Sequence, residues 1–445
     1  MNFEILKDIL EKQARAEGLE KYEIYFTDSE SVSTETLKDE ISSFSGGKGA
    51  GISFRCIVDG HVGSASTELF EEAELKSLVS RAKANAAVIE NDDLAVIYAG
   101  SDSYAEVEKK PFCMPTATEI KTLALELQRK TYATDKRITD GTQSGVFAET
   151  CTYELANSEG LRLSNTVGVC GAYVQAVIDG ENEAQEAFDF ALGFENAQEL
   201  PEKAVTEAIS KLGAEGVASG KYKILLDGKQ MRAMLSTFKS VFSGKNALLG
   251  LSLLADKEGE KIASECVTLI DDPLMENNPA TTPFDGEGVA TYRKSVIENG
   301  VLQTLLYDIA NAHKAGVNST GNGQRASYAQ QVNIAPFCFY IKEGSVSFEQ
   351  ALARMGDGLY VTELKGLHAG ANAVTGDFSI ESAGYLVENG MVSKAVKGFT
   401  VAGNFFEMLK SIEAVCDTVK FGLPSGFTTL GSPDVLLSEM SVAGT

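Results

Sequence analysis

GAGISFRCIVDGHVGSAST, residues Gly49–Thr67, sets Asp59-Gly60 between two arms that alternate apolar and polar residues. Asp-Gly tolerates the positive φ of a two-residue turn, so this stretch predicts a β-hairpin. The same alternation precedes it in KYEIYFT (Lys21–Thr27) and SVSTETL (Ser31–Leu37). It returns from Arg137 to Asp189, where Ser158-Glu159-Gly160 and Asp179-Gly180 mark the turns. Helical spacing falls between these runs. Phe3, Leu6, Ile9 and Leu10 share a face near the start, and Leu75, Leu78, Val79 and Ala82 recur within Glu71–Ala87. A helix over Thr116–Thr131 opens on Thr116 with Glu119 three residues on, a capping box. Another over Pro201–Leu212 has proline at its first position, where a missing N–H costs nothing.

AEGVASG (Ala214–Gly220) is small and flexible and reads as the domain boundary. Beyond it, KYKILLD (Lys221–Asp227) is a predicted strand and Gln230–Phe242 a predicted helix. The chain from Cys266 onward is strand-rich. Glu298-Asn299-Gly300 and Glu388-Asn389-Gly390 predict two more hairpins, with helices at Leu305–Ala315 and Ser347–Met355. The expected class is α+β, with an N-terminal α+β domain over residues 1–214. A C-terminal domain of long antiparallel strands and flanking helices follows over residues 220–445.

With 445 residues, 44% of them hydrophobic, the chain can bury a core without staples. A formal charge of −24 and no Lys/Arg cluster argue against nucleic acid, because such binding is driven by basic residues displacing counterions. The N-terminal helix lacks the basic start and apolar run of a signal peptide, and no stretch approaches a membrane span. Seven scattered cysteines, odd in number, fit reduced thiols, so a cytoplasmic location is expected.

Zinc hydrolases commonly set two imidazoles on one helix face with a Glu nearby as base. Here the histidines are His61, His313 and His368, far apart, and no CxxC occurs. His61 follows a hairpin turn, and His313 complements a helix C-terminus. His368 lies in the glycine-rich loop KGLHAGANAVTGDFS, which leaves both a structural and a functional role open. GGKGAG (Gly46–Gly51) leads into a strand rather than a helix, so it is expected as a turn rather than a phosphate loop. STGNGQR sets Arg325 beside flexible backbone, where it either holds a carboxylate bidentately or is simply solvated. No G-x-S-x-G elbow is present.

Several stretches together resemble the TldD/PmbA family, historically labelled modulators of DNA gyrase and classed among metallopeptidases. They are GISFRCIVDGHVGSAST, TPFDGEGVATYRKSVIENGVLQTLLYD, STGNGQR, GLHAGANAVTGDFSIESAGYLVENG and the closing MSVAGT. The resemblance runs from Tyr22 to the C-terminus. It implies two kinds of chain. The TldD branch carries HExxxH on a helix and a later Cys, which bind zinc. The PmbA branch, also called TldE, lacks them and pairs with TldD in a protease acting on unfolded peptides. Those peptides lie as an added strand on a sheet edge.

The resemblance sets Ser236 and Val241 at the two His positions, Thr237 at the Glu, and the late Cys near Lys420. It therefore assigns this chain to the PmbA branch, with no catalytic residue and no metal or cofactor of its own. Zinc is expected only in a TldD-like partner. Peptide is expected to meet the strand Phe378–Glu388 and Thr320, Arg325, His368, Asp377 and Ser379. Alone, the chain is expected to form a homodimer, with no nucleic-acid or membrane partner. Two alternatives stay open: an autonomous hydrolase using His368 with Asp377, and a gyrase-associated interaction protein.

Overall fold

The computed structural model describes residues 2–90, 94–107, 112–181, 183–276 and 278–444. The first half contains α1 (Phe3–Ala16), β1 (Tyr22–Leu37), β2 (Glu40–Val58), β3 (His61–Thr67), α2 (Glu72–Ala86) and α3 (Ala117–Thr134). β4 (Gln143–Asn157), β5 (Arg162–Asp179), β6 (Ala184–Leu192) and α4 (Leu200–Ser210) complete it. KYEIYFT and SVSTETL, expected as two strands, are one. β1 runs unbroken for 16 residues because β2 and β4 flank it to its end. Asp59 and Gly60 take φ of 49° and 84° and join β2 to β3 as the expected hairpin. The Thr116–Glu119 capping box starts α3.

The six strands form one antiparallel sheet in the order β3-β2-β1-β4-β5-β6. Even-numbered residues of β1 face the helices. Ile24 and Phe26 pack with Phe54 under α1 and α2, and Val32 packs with Val146 and Val174 under α3 and α4. The odd-numbered Tyr25 faces the other way, into a cluster with Phe284, Phe337 and Phe427 of the second half.

That half runs β7 (Gly220–Leu226), α5 (Gly228–Phe238), α6 (Gly244–Leu248), β8 (Leu269–Asp271), β9 (Lys294–Glu298), β10 (Val301–Leu302) and α7 (Ile309–Ala315). Next come β11 (Gly323–Gln324), β12 (Asn333–Ile334), β13 (Cys338–Ile341), α8 (Phe348–Met355), β14 (Gly358–Lys365) and α9 (Leu367–Gly370). β15 (Asp377–Glu388), β16 (Met391–Asn404), α10 (Phe405–Lys410), β17 (Ile412–Val415), β18 (Lys420–Phe421), β19 (Thr429–Ser432) and β20 (Val435–Ala443) close it. β7, β14, β15, β16 and β20 pair in a closed ring, since β16 pairs with β20 and β20 with β7. Its interior is filled by side chains such as Ile224, Val361, Phe378 and Val401, leaving a cavity of about 20 Å³, too small for a ligand. The β7–β14 and β13–β19 pairs are parallel, a departure from the antiparallel expectation.

Two helix boundaries also differ from expectation. α5 ends at Phe238, and Lys239–Phe242 tighten into a 3-10 turn that drops Val241 and Phe242 into the core. The helix expected from Leu305 starts at Ile309, because Asp308 caps it by accepting the Asn311 N–H at 2.7 Å.

The two halves are joined by buried charge. Glu23, on β1, pairs with Arg325 at 2.6 Å and with Arg55 at 3.0 Å. Arg325 also lies over the Tyr25 ring, and its carbonyl accepts the Tyr25 hydroxyl at 3.3 Å. Burial pushes the Glu23 carboxyl upward, but Arg325 and Arg55 outweigh it and hold it below the ordinary range.

Candidate functional site

β7 delivers Asp227 to the start of α5, where its side chain caps the helix by accepting the Lys229 N–H at 2.7 Å. The second carboxylate oxygen accepts from the Tyr360 hydroxyl at 2.8 Å and from Lys420 Nζ at 2.7 Å. Lys420 reaches Asp434 as well, at 2.5 Å, and Asp434 takes the Gly228 N–H at 2.6 Å. Asp227 and Asp434 are both buried. Burial and the neighbouring Asp227 push the Asp434 carboxyl up, against the pull of Lys420. Burial alone would lower Lys420, but the two carboxylates outweigh it and hold its ammonium above the ordinary value. Nothing local in the sequence joins these four residues.

A cleft of about 620 Å³ opens beside this cluster, on the seam between the halves. Asp227, Lys229 and Tyr360 line one wall, and Glu207 and Ser210 of α4 line the other. Lys229 bridges the seam to Asp189 at 3.2 Å, and Ser210 meets the Tyr385 hydroxyl at 2.5 Å.

Along α5, Ser236 is exposed and the Thr237 hydroxyl donates to the Ala233 carbonyl at 3.0 Å. Val241 is 1% exposed, below the 3-10 turn. Positions 236 and 241 therefore do not share a face. Lys420 does come alongside, its carbonyl accepting from Arg232 Nη1 at 3.4 Å. The positions that would have to hold zinc thus offer two hydroxyls, a buried aliphatic side chain and an ammonium already shared by two carboxylates. This donor set does not fit a zinc ion, which needs imidazole, thiolate or carboxylate ligands free to turn toward it. Cys416 is buried, and burial pushes its thiol up to about 12, the opposite of a thiolate ligand. Among the described residues, no three His, Cys, Asp or Glu side chains converge as a metal would need.

His368, Asp377 and Ser379 are exposed. His368 rides on α9, which touches both α5 and β15. The Asp377 carboxylate is occupied by Asn404 Nδ2 at 2.9 Å, and with Thr375 this holds it below the ordinary range. Thr320 and Arg325 are both buried. Thr320 accepts the Tyr307 N–H at 2.7 Å and sits 2.8 Å from Asn322 Oδ1. Arg325 does hold a carboxylate, that of Glu23 inside the molecule. Sequence reasoning also missed Asp227, Tyr360 and Asp434; only the helix-capping position of Asp227 carried a local signal.

The PmbA/TldA metallopeptidase family matches in three parts: its domain 1 over residues 22–86, its central domain over 110–212 and its C-terminal domain over 219–444. The chain belongs to the TldD/PmbA family. The first two family domains fall on successive parts of one sheet, β1–β3 and β4–β6. An uncharacterized protein of Methanocaldococcus jannaschii is 30% identical over 433 residues, covering 95% of this chain and 96% of its own length. A metalloprotease PmbA homolog of Haemophilus influenzae is 26% identical, covering 86% and 83%. The crystal structure of a candidate modulator of a DNA gyrase from Thermotoga maritima superposes with a TM-score of 0.90 at 28% identity, covering 99% of this chain and all of that one. TldE from Thermococcus kodakarensis shares the fold, with a TM-score of 0.87 at 24% identity over 98% of this chain and 100% of that one. A peptidase-family role follows for a TldD/PmbA chain. No helix among the described residues is long and apolar enough to cross a membrane.

Proposed function

We propose that this chain is the PmbA/TldE-like, non-catalytic subunit of a cytoplasmic TldD/TldE-type metalloprotease that acts on unfolded peptides. The observation that carries the reading is α5 with its 3-10 extension. Its Ser236 and Thr237 are hydroxyl-bearing and its Val241 is in the core, while Lys420 beside it is neutralised by Asp227 and Asp434. The zinc belongs to a TldD-like partner, and this chain supplies cavity wall. His368, Asp377 and Ser379, exposed along α9 and the start of β15, are its peptide-facing residues.

The test is to purify the chain alone and with a co-expressed TldD-like subunit, assaying zinc content and cleavage of an unfolded peptide. The isolated chain is expected to carry no stoichiometric zinc and to cleave nothing, and the pair to copurify and cleave. One zinc per isolated chain, or a TldD-like subunit that neither binds this chain nor changes its cleavage in its presence, would refute the reading.

A further inference from the structure

From Gly228 to Ala255 the chain carries no Asp or Glu, although its net charge is −24. Lys229, Arg232, Lys239 and Lys245 fall in that stretch. Lys229 is spent on Asp189. Arg232 and Lys239 are partly buried, and among the described residues neither has a carboxylate within ion-pair distance. A cation that loses water without gaining a counter-ion is costly, so proteins usually pair it or expose it. Burial lowers both cations, opposed at Arg232 by Asp227, whose carboxylate is already taken by Tyr360 and Lys420. Lys239 ends α5, where the helix dipole favours a cation. Arg232, in mid-helix, gains nothing of that kind.

Arg232 is also held in place. Its guanidinium lies 5.8 Å over the Phe190 ring of β6, and Nη1 donates to the Lys420 carbonyl at 3.4 Å. Gly422 makes room for it, since a Cβ there falls 2.9 Å from Nε and 3.1 Å from Cζ. The other N–H donors have no protein acceptor among the described residues. Ser236 lies one turn on and Lys239 two turns on, along the same helix face. Phe190 continues into an aromatic strip on the sheet face turned away from α3 and α4. Its ring is 6.4 Å from that of Phe188, which is 5.4 Å from that of Tyr173. Phe188 is 46% exposed.

We infer that Arg232, with the Ser236 hydroxyl beside it, is a receptor for a carboxylate of a bound peptide. A guanidinium whose plane is fixed by a ring presents parallel N–H groups that match a carboxylate in two bonds. Lys239 adds a field of the same sign. The aromatic strip takes the apolar side chain next to that carboxylate, as at a peptide ending in Leu or Phe. That the ligand is a peptide rests on the function proposed above; that it is a carboxylate rests on the donors alone.

The experiment uses the full isolated chain, without metal or partner, so a failed TldD-like partnership leaves it decidable. An unstructured peptide ending in Leu, labelled at its N-terminus, is compared by anisotropy with its C-terminal amide. The wild type is expected to bind the free acid about tenfold or more tightly, the worth of a charge-assisted pair. Arg232→Gln is expected to bind both alike, and Arg232→Lys, which keeps the charge but not the fork, to retain part of the preference. Gly422→Ala is expected to shrink the preference with an unchanged melting temperature, because the atoms it displaces are the end of a flexible side chain. Amidated peptides with an internal Glu or Gln separate the two sources of carboxylate. A preference for Glu assigns the site to acidic side chains and a preference for the free acid assigns it to chain ends, and either supports the inference. No binding of these peptides at millimolar concentration, no wild-type preference for either carboxylate, or a preference that survives Arg232→Gln overturns it.

Discussion

At the scale of single residues, two carboxylates are buried together next to the inter-half junction. Asp285 is buried and accepts three backbone N–H bonds, from Glu287, Val289 and Gly323, at 2.9–3.0 Å. Glu287 is buried beside it and accepts the Ile309 N–H, at 2.8 Å. Burial, and then the charge of Asp285, pushes the Glu287 carboxyl well up, so the folded chain holds a proton there that the unfolded chain releases. A raised folded pKa contributes stability at low pH and loses it as pH climbs from the ordinary carboxylate range through the raised value. Wild-type stability is therefore expected to decline between about pH 5 and pH 8 on this account. Glu287→Gln keeps an acceptor for Ile309 and cannot ionise, so it should flatten that decline by on the order of 1–2 kcal/mol. Urea denaturation at both pH values decides it: an unchanged slope means Glu287 is not the titrating group. Arg325 teaches a related lesson. One guanidinium N–H, from Nη2, does hold a carboxylate, but the sequence carried no sign that Glu23, 302 positions away, would supply it.

At the scale of elements, the turns were the most legible part. Asn299-Gly300 and Asn389-Gly390 take φ of 48° and 84°, and of 53° and 74°, as two-residue hairpin turns require. Not all such glycines have the same surroundings. Gly60 and Gly300 share a φ of 84°, yet a Cβ at Gly60 meets open space, while one at Gly300 falls 2.4 Å from the Ala263 carbonyl oxygen. Gly60→Ala should cost about 1 kcal/mol from backbone strain alone. Gly300→Ala adds a backbone clash and should cost at least about twice that, measured as paired thermal melts. Equal losses at the two sites would show that the Ala263 contact relaxes freely. Helix ends were less legible. α5 stops four residues before the expected Phe242 because Val241 and Phe242 find more apolar surface by turning inward than by continuing the helix.

At the scale of the whole molecule, the halves are held by the Tyr25 cluster and by Glu23 with its two arginines. Removing one member of a buried pair leaves the other charge desolvated and alone. Glu23→Ala is expected to destabilise the chain by about 3–5 kcal/mol, read by urea denaturation, and a loss below about 1 kcal/mol would mean water reaches Arg325 in the variant. Capping boxes, Asn-Gly and Asp-Gly turns, the period-2 runs and the α+β class were determined by the sequence alone, because each depends on residues a few positions apart. The absence of imidazole from the α5 stretch was equally plain. Only the tertiary structure decided which strands pair, that five of them close into a ring, and that two pairs are parallel. It alone brought Asp227 to Lys420 and Asp434, 193 and 207 positions later. A strand's alternation says which residues face inward but not which distant strand will lie alongside. That choice rests on summed burial and on satisfying every buried charge at once, and it exists only when the whole chain is folded.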